Sequence, residues 1–92
     1  MLIYVCVKAE QQYEREQARE IMNALARDVD NTYICAAFAF SYLAKPDEAD
    51  LEIMREDLIC ACDKLLIVTE LTEEIRRDIE FAQGIKIPIE YI

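Results

Sequence analysis

No histidine occurs among the 92 residues, which excludes Ser-His and Cys-His nucleophile pairs, histidine zinc sites and imidazole proton shuttles. Any chemistry must run on carboxylates, tyrosines, lysines or thiols. Glycine occurs once, as Gly84, leaving no G-x-G-x-x-G turn and no Walker loop for a dinucleotide or a nucleoside triphosphate. Basic side chains are scarce: ten Lys and Arg against nineteen Asp and Glu give a formal charge of −9 and a pI near 4.4. That is the wrong sign for neutralising a phosphate backbone, so nucleic acid is not an expected partner. The longest uncharged stretch, Asn31 to Ala44, is too short to span about 30 Å of hydrocarbon, and no membrane association is expected. No basic residue precedes the apolar run Leu2 to Val7, so this run does not read as a secretory signal. Cys60 and Cys62 form a C-x-C, shorter than the C-x2-C of zinc ribbons, and no second pair completes a metal site. Cys6, Cys35 and Cys62 read as buried free thiols, and no metal and no cofactor are expected. The expectation is a cytoplasmic protein with reduced thiols.

What is present is a core. Hydrophobic residues make up 54% of the chain, enough for one small folded domain over residues 1–92. Leu2 to Val7 is a β-prone run without polar alternation, as in a parallel strand covered on both faces. From Glu10 the period changes: Ala18, Ile21, Met22, Leu25 and Val29 share one face of a helix ending near Asp30-Asn31. Tyr33 to about Ala36 reads as a second strand followed by an aromatic loop. Pro46 suits the first turn of a helix whose buried stripe is Leu51, Met54, Leu58 and Cys62. Lys64 to Thr69 is the clearest strand. Thr72 offers an N-cap hydroxyl to a helix that runs to about Gln83, where Gly84 suits a left-handed terminal position. Ile87 to Ile92 closes the chain as an edge strand.

The order β-α-β-α-β-α-β implies a small doubly wound, Rossmann/flavodoxin-like parallel sheet of about four strands with helices on both faces. In such α/β sheets ligands bind beyond the carboxyl ends of the strands, where the strand order reverses. Here those ends bring Cys6, Val7 and Lys8, the Ala37 to Tyr42 segment, and Thr69 to Thr72 into question. Phe38, Phe40 and Tyr42 alternate, so they could stack on a planar base or cover the sheet or a subunit interface. Lys8 is the one cation directly at a strand end and could meet a phosphate. Glu73 and Arg77, four apart, read as a surface pair.

The C-terminal half carries a pattern: Cys62-Asp63 before the strand Leu65 to Val68, a helix containing Asp78-Ile79-Glu80-Phe81-Ala82, then Gly84-Ile85-Lys86-Ile87-Pro88-Ile89. Together with the opening Ile3-Tyr4-Val5-Cys6, this resembles the nucleoside 2-deoxyribosyltransferase-like superfamily, including its short members of unassigned function from phages and bacteria. The resemblance implies that Asp78 stands where the family has a nucleophilic glutamate, Asp63 where an aspartate manages protons on the base, and Tyr4 where a tyrosine contacts the nucleophile. It also implies a nucleoside- or nucleotide-derived small molecule as ligand, and pockets completed by a neighbouring copy in a homodimer or higher homo-oligomer. The residues allow other readings. Asp78 could be a solvated helix residue, Asp63 a turn into its strand, and Tyr4 a core residue. Three functions follow: a ligand-binding sensor or sequestering protein without turnover, an active N-glycosidase or deoxyribosyltransferase using Asp78 and Asp63, and an acidic module that binds a basic protein.

Overall fold

In the computed structural model, which describes residues 1–92, the first apolar run forms β1 (Leu2–Cys6). It is followed by α1 (Gln12–Leu25), β2 (Thr32–Ile34), a short α2 (Ala36–Ala39), α3 (Glu48–Ala61), β3 (Lys64–Ile67), α4 (Glu73–Gly84) and β4 (Ile89–Tyr91). The four strands are all parallel, in the order β2-β1-β3-β4, with Tyr4 beside Ile34 on one side and Leu65 on the other. The expected α/β architecture is therefore present. The chain moves outward from β1 to β2 and then, through β3, outward on the opposite side, so the order reverses between β1 and β3.

Alternation along β1 divides the core. Tyr4 and Cys6 join Leu65 and Ile67 of β3 beneath Ile59 of α3 and Ile75, Ile79 and Ala82 of α4. Val5 and Val7 face the other way, against Ala18 of α1 and Cys35. No helix is long and apolar enough to cross a membrane.

Several boundaries differ from the sequence reading, each for a local reason. Helix α1 stops at Leu25 because Asp28 gathers the following turn: its carboxylate accepts from the Asn31 amide at 2.8 Å, the Tyr33 hydroxyl at 2.7 Å and the Asp30 backbone N–H at 3.1 Å. Val29 consequently leaves the expected stripe and is 91% exposed. The segment read as a strand end and aromatic loop is the helical turn α2, as alanine's helix propensity favours, with the Cys35 carbonyl accepting from Phe38 and Ala39. Pro46 precedes the helix instead of entering it, and Asp47 caps α3 by accepting from the Ala49 N–H at 2.8 Å. The buried face of α3 is centred on Arg55 and Ile59, rotated from the expected stripe. Gly84 is the last helical residue of α4, and the left-handed position falls two residues later on Lys86, at φ 62°. Thr72 does cap α4, its hydroxyl accepting from the Ile75 N–H at 3.1 Å. Arg77 and Glu73 form the expected surface pair at 2.8 Å.

Candidate functional site

A cleft of about 330 Å³ opens beyond the carboxyl ends of β1 and β3, at the reversal of strand order. Its floor is polar although it is set in the larger of the two apolar clusters. Strand alternation points Tyr4 toward α3 and α4, helical spacing places Asp78 one turn after Glu74 and next to buried Ile79, and Arg55 stands one turn before Ile59. The Tyr4 hydroxyl donates to Asp78 Oδ2 at 3.0 Å, and Arg55 Nε donates to Asp78 Oδ1 at 3.1 Å. All three line the cleft and all three are buried, Asp78 with 5% of its surface exposed. Charges this deep persist only when paired and hydrogen-bonded, and both requirements are met.

Burial pushes the Asp78 carboxyl above its ordinary 3.8, against the opposing pull of Arg55 and the Tyr4 hydroxyl. Burial lowers the Arg55 guanidinium, but the charges of Glu74 and Asp78 outweigh it and hold the group above its ordinary value, so it stays cationic. Burial and the neighbouring Asp78 charge raise Tyr4, which remains a protonated donor. Glu74, on the wall of the cleft, lies 3.6 Å from Arg55 Nε, and burial raises its carboxyl above the ordinary 4.5. One guanidinium thus bridges two carboxylates a helical turn apart.

Of the residues singled out in the sequence, Tyr4, Cys6, Val7, Lys8, Phe40, Thr72 and Asp78 line this cleft. Burial pushes the Cys6 thiol up, which disfavours the nucleophilic thiolate. Lys8 is occupied: its Nζ lies 3.2 Å from Glu14 and 3.1 Å from Glu70, hydrogen bonds that hold its pKa above the ordinary value. Thr69 is tied to the end of β1, accepting from the Lys8 backbone N–H at 2.9 Å. Phe38 and Phe40 diverge because their segment is a helical turn, in which residues two apart do not share a face. Phe40 meets the cleft, Phe38 lies under Arg19, and Tyr42 is 74% exposed. Asp63 stands at the opposite end of the strands, where its carboxylate accepts from the Leu2 N–H at 2.8 Å and its own N–H donates to the Leu2 carbonyl at 2.8 Å. The structure does not bring it to Asp78.

Arg55 is the site residue that the sequence reading passed over; Glu74 entered it only as an acid in the first turn of its helix, unable to stand in for Asp78. Arg55 lies among Glu52, Glu56 and Asp57 and has the look of a solvated face. The signal was its place four residues after Leu51 and four before Ile59, inside an apolar stripe. The four cysteines are unpaired, Cys60 exposed and the others buried, and no three Cys, Asp or Glu side chains are grouped to hold a metal ion.

No family model matches the chain, and no curated protein sequence matches it. Among solved structures, a 2-desoxiribosyltransferase from Leishmania mexicana is similar to 99% of this chain with a TM-score of 0.76, at 13% sequence identity. The chain spans 63% of the length of that structure. At this identity the likeness is one of architecture: the chain has the fold of that 2-desoxiribosyltransferase.

Proposed function

We propose that the cleft binds a nucleoside- or nucleotide-derived small ligand, with its sugar over Asp78 and its base toward Phe40, and that the bound ligand undergoes little or no turnover. The observation that carries this reading is the buried Tyr4–Asp78–Arg55 cluster on the floor of a cleft at the strand ends. A fixed carboxylate accepts from the hydroxyls of a sugar through the lone pairs its two donors leave free, and an aromatic ring suits a planar base. The similarity of fold to a 2-desoxiribosyltransferase supports the choice of ligand class. Two features argue against turnover. Each oxygen of Asp78 already accepts from a donor, and Arg55 withdraws the negative charge that attack on an anomeric carbon needs. An aspartate also reaches roughly 1 Å less far than a glutamate, and a misplacement of that size can cost about 10²-fold in rate.

One observation favours a second reading, hydrolysis of an N-glycosidic bond. Glu74 lines the cleft one helical turn before Asp78, and in its protonated form it would supply a proton to a departing base while Asp78 forms the glycosyl ester that water then opens. In this arrangement Glu74 takes the part that the resemblance assigned to Asp63. We also propose a homodimer or higher homo-oligomer, supported by the exposure of Tyr42 and Ile53.

The test is calorimetric titration and thermal shift with the four 2′-deoxynucleosides and their 5′-monophosphates, followed by an assay of free base with the native, Asp78→Asn and Asp78→Glu proteins. The expected result is saturable binding with no base release by the native protein. Native turnover abolished in Asp78→Asn establishes the hydrolytic reading, and failure of every ligand to bind refutes both in favour of a protein-interaction module. Sedimentation as a clean monomer at micromolar concentration would refute the oligomer.

A further inference from the structure

The cleft adjoins a second groove. Arg15 and Ala37 line both, and the remaining walls of the groove are Arg19, Phe38 and Ser41. Arg15 and Arg19 are four residues apart on α1, so two guanidiniums border one groove. Helix energetics disfavours this placement. Like charges at that spacing repel, and Arg15 also lies near the amino end of α1, where the dipole is positive.

Neither guanidinium is neutralised, although the chain carries a formal charge of −9. The ion pairs of the fold engage Lys8, Arg55, Lys64 and Arg77 instead. Arg15 is oriented by donating to the carbonyls of Ala9 and Glu10 at 3.3 and 3.5 Å. Arg19 is oriented over the Phe38 ring, 5.7 Å from its centroid. Two planar forks held in place without counter-charges match the oxygens of a phosphate. The cleft itself is unsuited to that group: Glu10, Glu48, Glu74 and Asp78 line it, Lys8 is taken up by Glu14 and Glu70, and Arg55 by Asp78 and Glu74. An anionic arm on a ligand in the cleft meets repulsion there and unpaired positive charge next door.

We propose that Arg15 and Arg19 form a subsite for a phosphate ester carried by the ligand of the cleft, making the preferred ligand a nucleotide over a nucleoside. This rests on the ligand class proposed above. The experiment titrates each 2′-deoxynucleoside, its 5′-monophosphate and inorganic phosphate into the native protein and the Arg19→Gln variant, chosen because Arg19 borders the groove and not the cleft. The monophosphate binds roughly tenfold or more tightly than the nucleoside, the size expected of hydrogen bonds to a charged group. Arg19→Gln removes most of that difference and leaves nucleoside affinity and melting temperature in place, and added salt narrows it in the native protein. Nucleosides that bind as well as their monophosphates overturn the subsite while the ligand class stands. Failure of both overturns both. Inorganic phosphate that binds as tightly as the monophosphate, with the same dependence on Arg19, makes the groove an independent anion site and also overturns the proposal.

Discussion

Where α3 and α4 cover the sheet, nine side chains are buried in one cluster, and a guanidinium and a carboxylate are buried with them; where α1 and α2 cover the other face, only four are buried. On that second face the buried carboxylate is Glu14, which reaches the half-exposed Lys8 at the rim and accepts from the Gln11 backbone N–H at 2.8 Å. Both faces bury an acid, but in different surroundings. Around Asp78 the loss of water dominates and raises the carboxyl; around Glu14 the Gln11 N–H dominates and lowers it. A helix start can hold an anion chiefly by a backbone donor, with a cation at the rim, whereas an anion between sheet and helices needs a cation buried with it.

The largest expected effect tests that dependence. Arg55→Met leaves the Asp78 charge buried without its partner and should lower unfolding stability by about 3–5 kcal/mol in urea. Adding Asp78→Leu should restore part of the loss, and a single-variant loss below about 1 kcal/mol would show that the carboxylate does not depend on Arg55. Next in size, Ile59→Ala, at a fully buried position, should cost about 3 kcal/mol, against roughly half that for the half-buried Met22→Ala on the α1 face. Equal losses would erase the difference between the faces. Thr72→Ala should remove about 1 kcal/mol with the loss of its cap to Ile75.

The smallest effects are the sharpest in sign. Glu14 has a folded pKa below its ordinary 4.5, so its stabilisation is present above that value and fades as pH falls through the depressed one. Glu14→Gln should therefore be destabilising at neutral pH and converge with the native protein in acid. Glu74 has a folded pKa above its ordinary 4.5, so its favourable contribution is complete below that value and is lost as pH rises through the folded one. Glu74→Gln should match the native protein in acid and exceed it at neutral pH. Denaturation midpoints across pH check both, and slopes of the same sign for the two variants would break the contrast.

The order of the strands and the three long helices could be read from the sequence because β1 and the Leu65 to Ile67 part of β3 are unbroken apolar runs and α1 and α4 carry clean stripes. The pairing of Tyr4 with Asp78 came from the resemblance; the residues alone left both open to bland readings. What could not be read came from tertiary override. Arg55 has the composition of a surface residue and is buried because Asp78 stands opposite it, on an element 23 residues away. Asp63 precedes its strand and so stands at the amino end of the sheet, away from the carboxyl ends where the cleft opens; only the resemblance had drawn it to the site. The departure of Phe38 from Phe40 turned on a four-residue helix, shorter than periodicity can detect.

The position of β1 also sets a timetable for folding. Its neighbours are β2, with Tyr4 beside Ile34, and β3, with Tyr4 beside Leu65, so the central strand comes earliest in the chain and gains its second partner only after two-thirds of the chain is available. Until then one backbone edge of β1 is open, and Tyr4 and Cys6 lack the cover of β3 and α4. Such distant pairing slows folding relative to a helical bundle of equal size, because loop closure precedes the contacts that reward it. Fragments ending before Lys64 should therefore collapse or aggregate instead of forming a smaller version of the sheet.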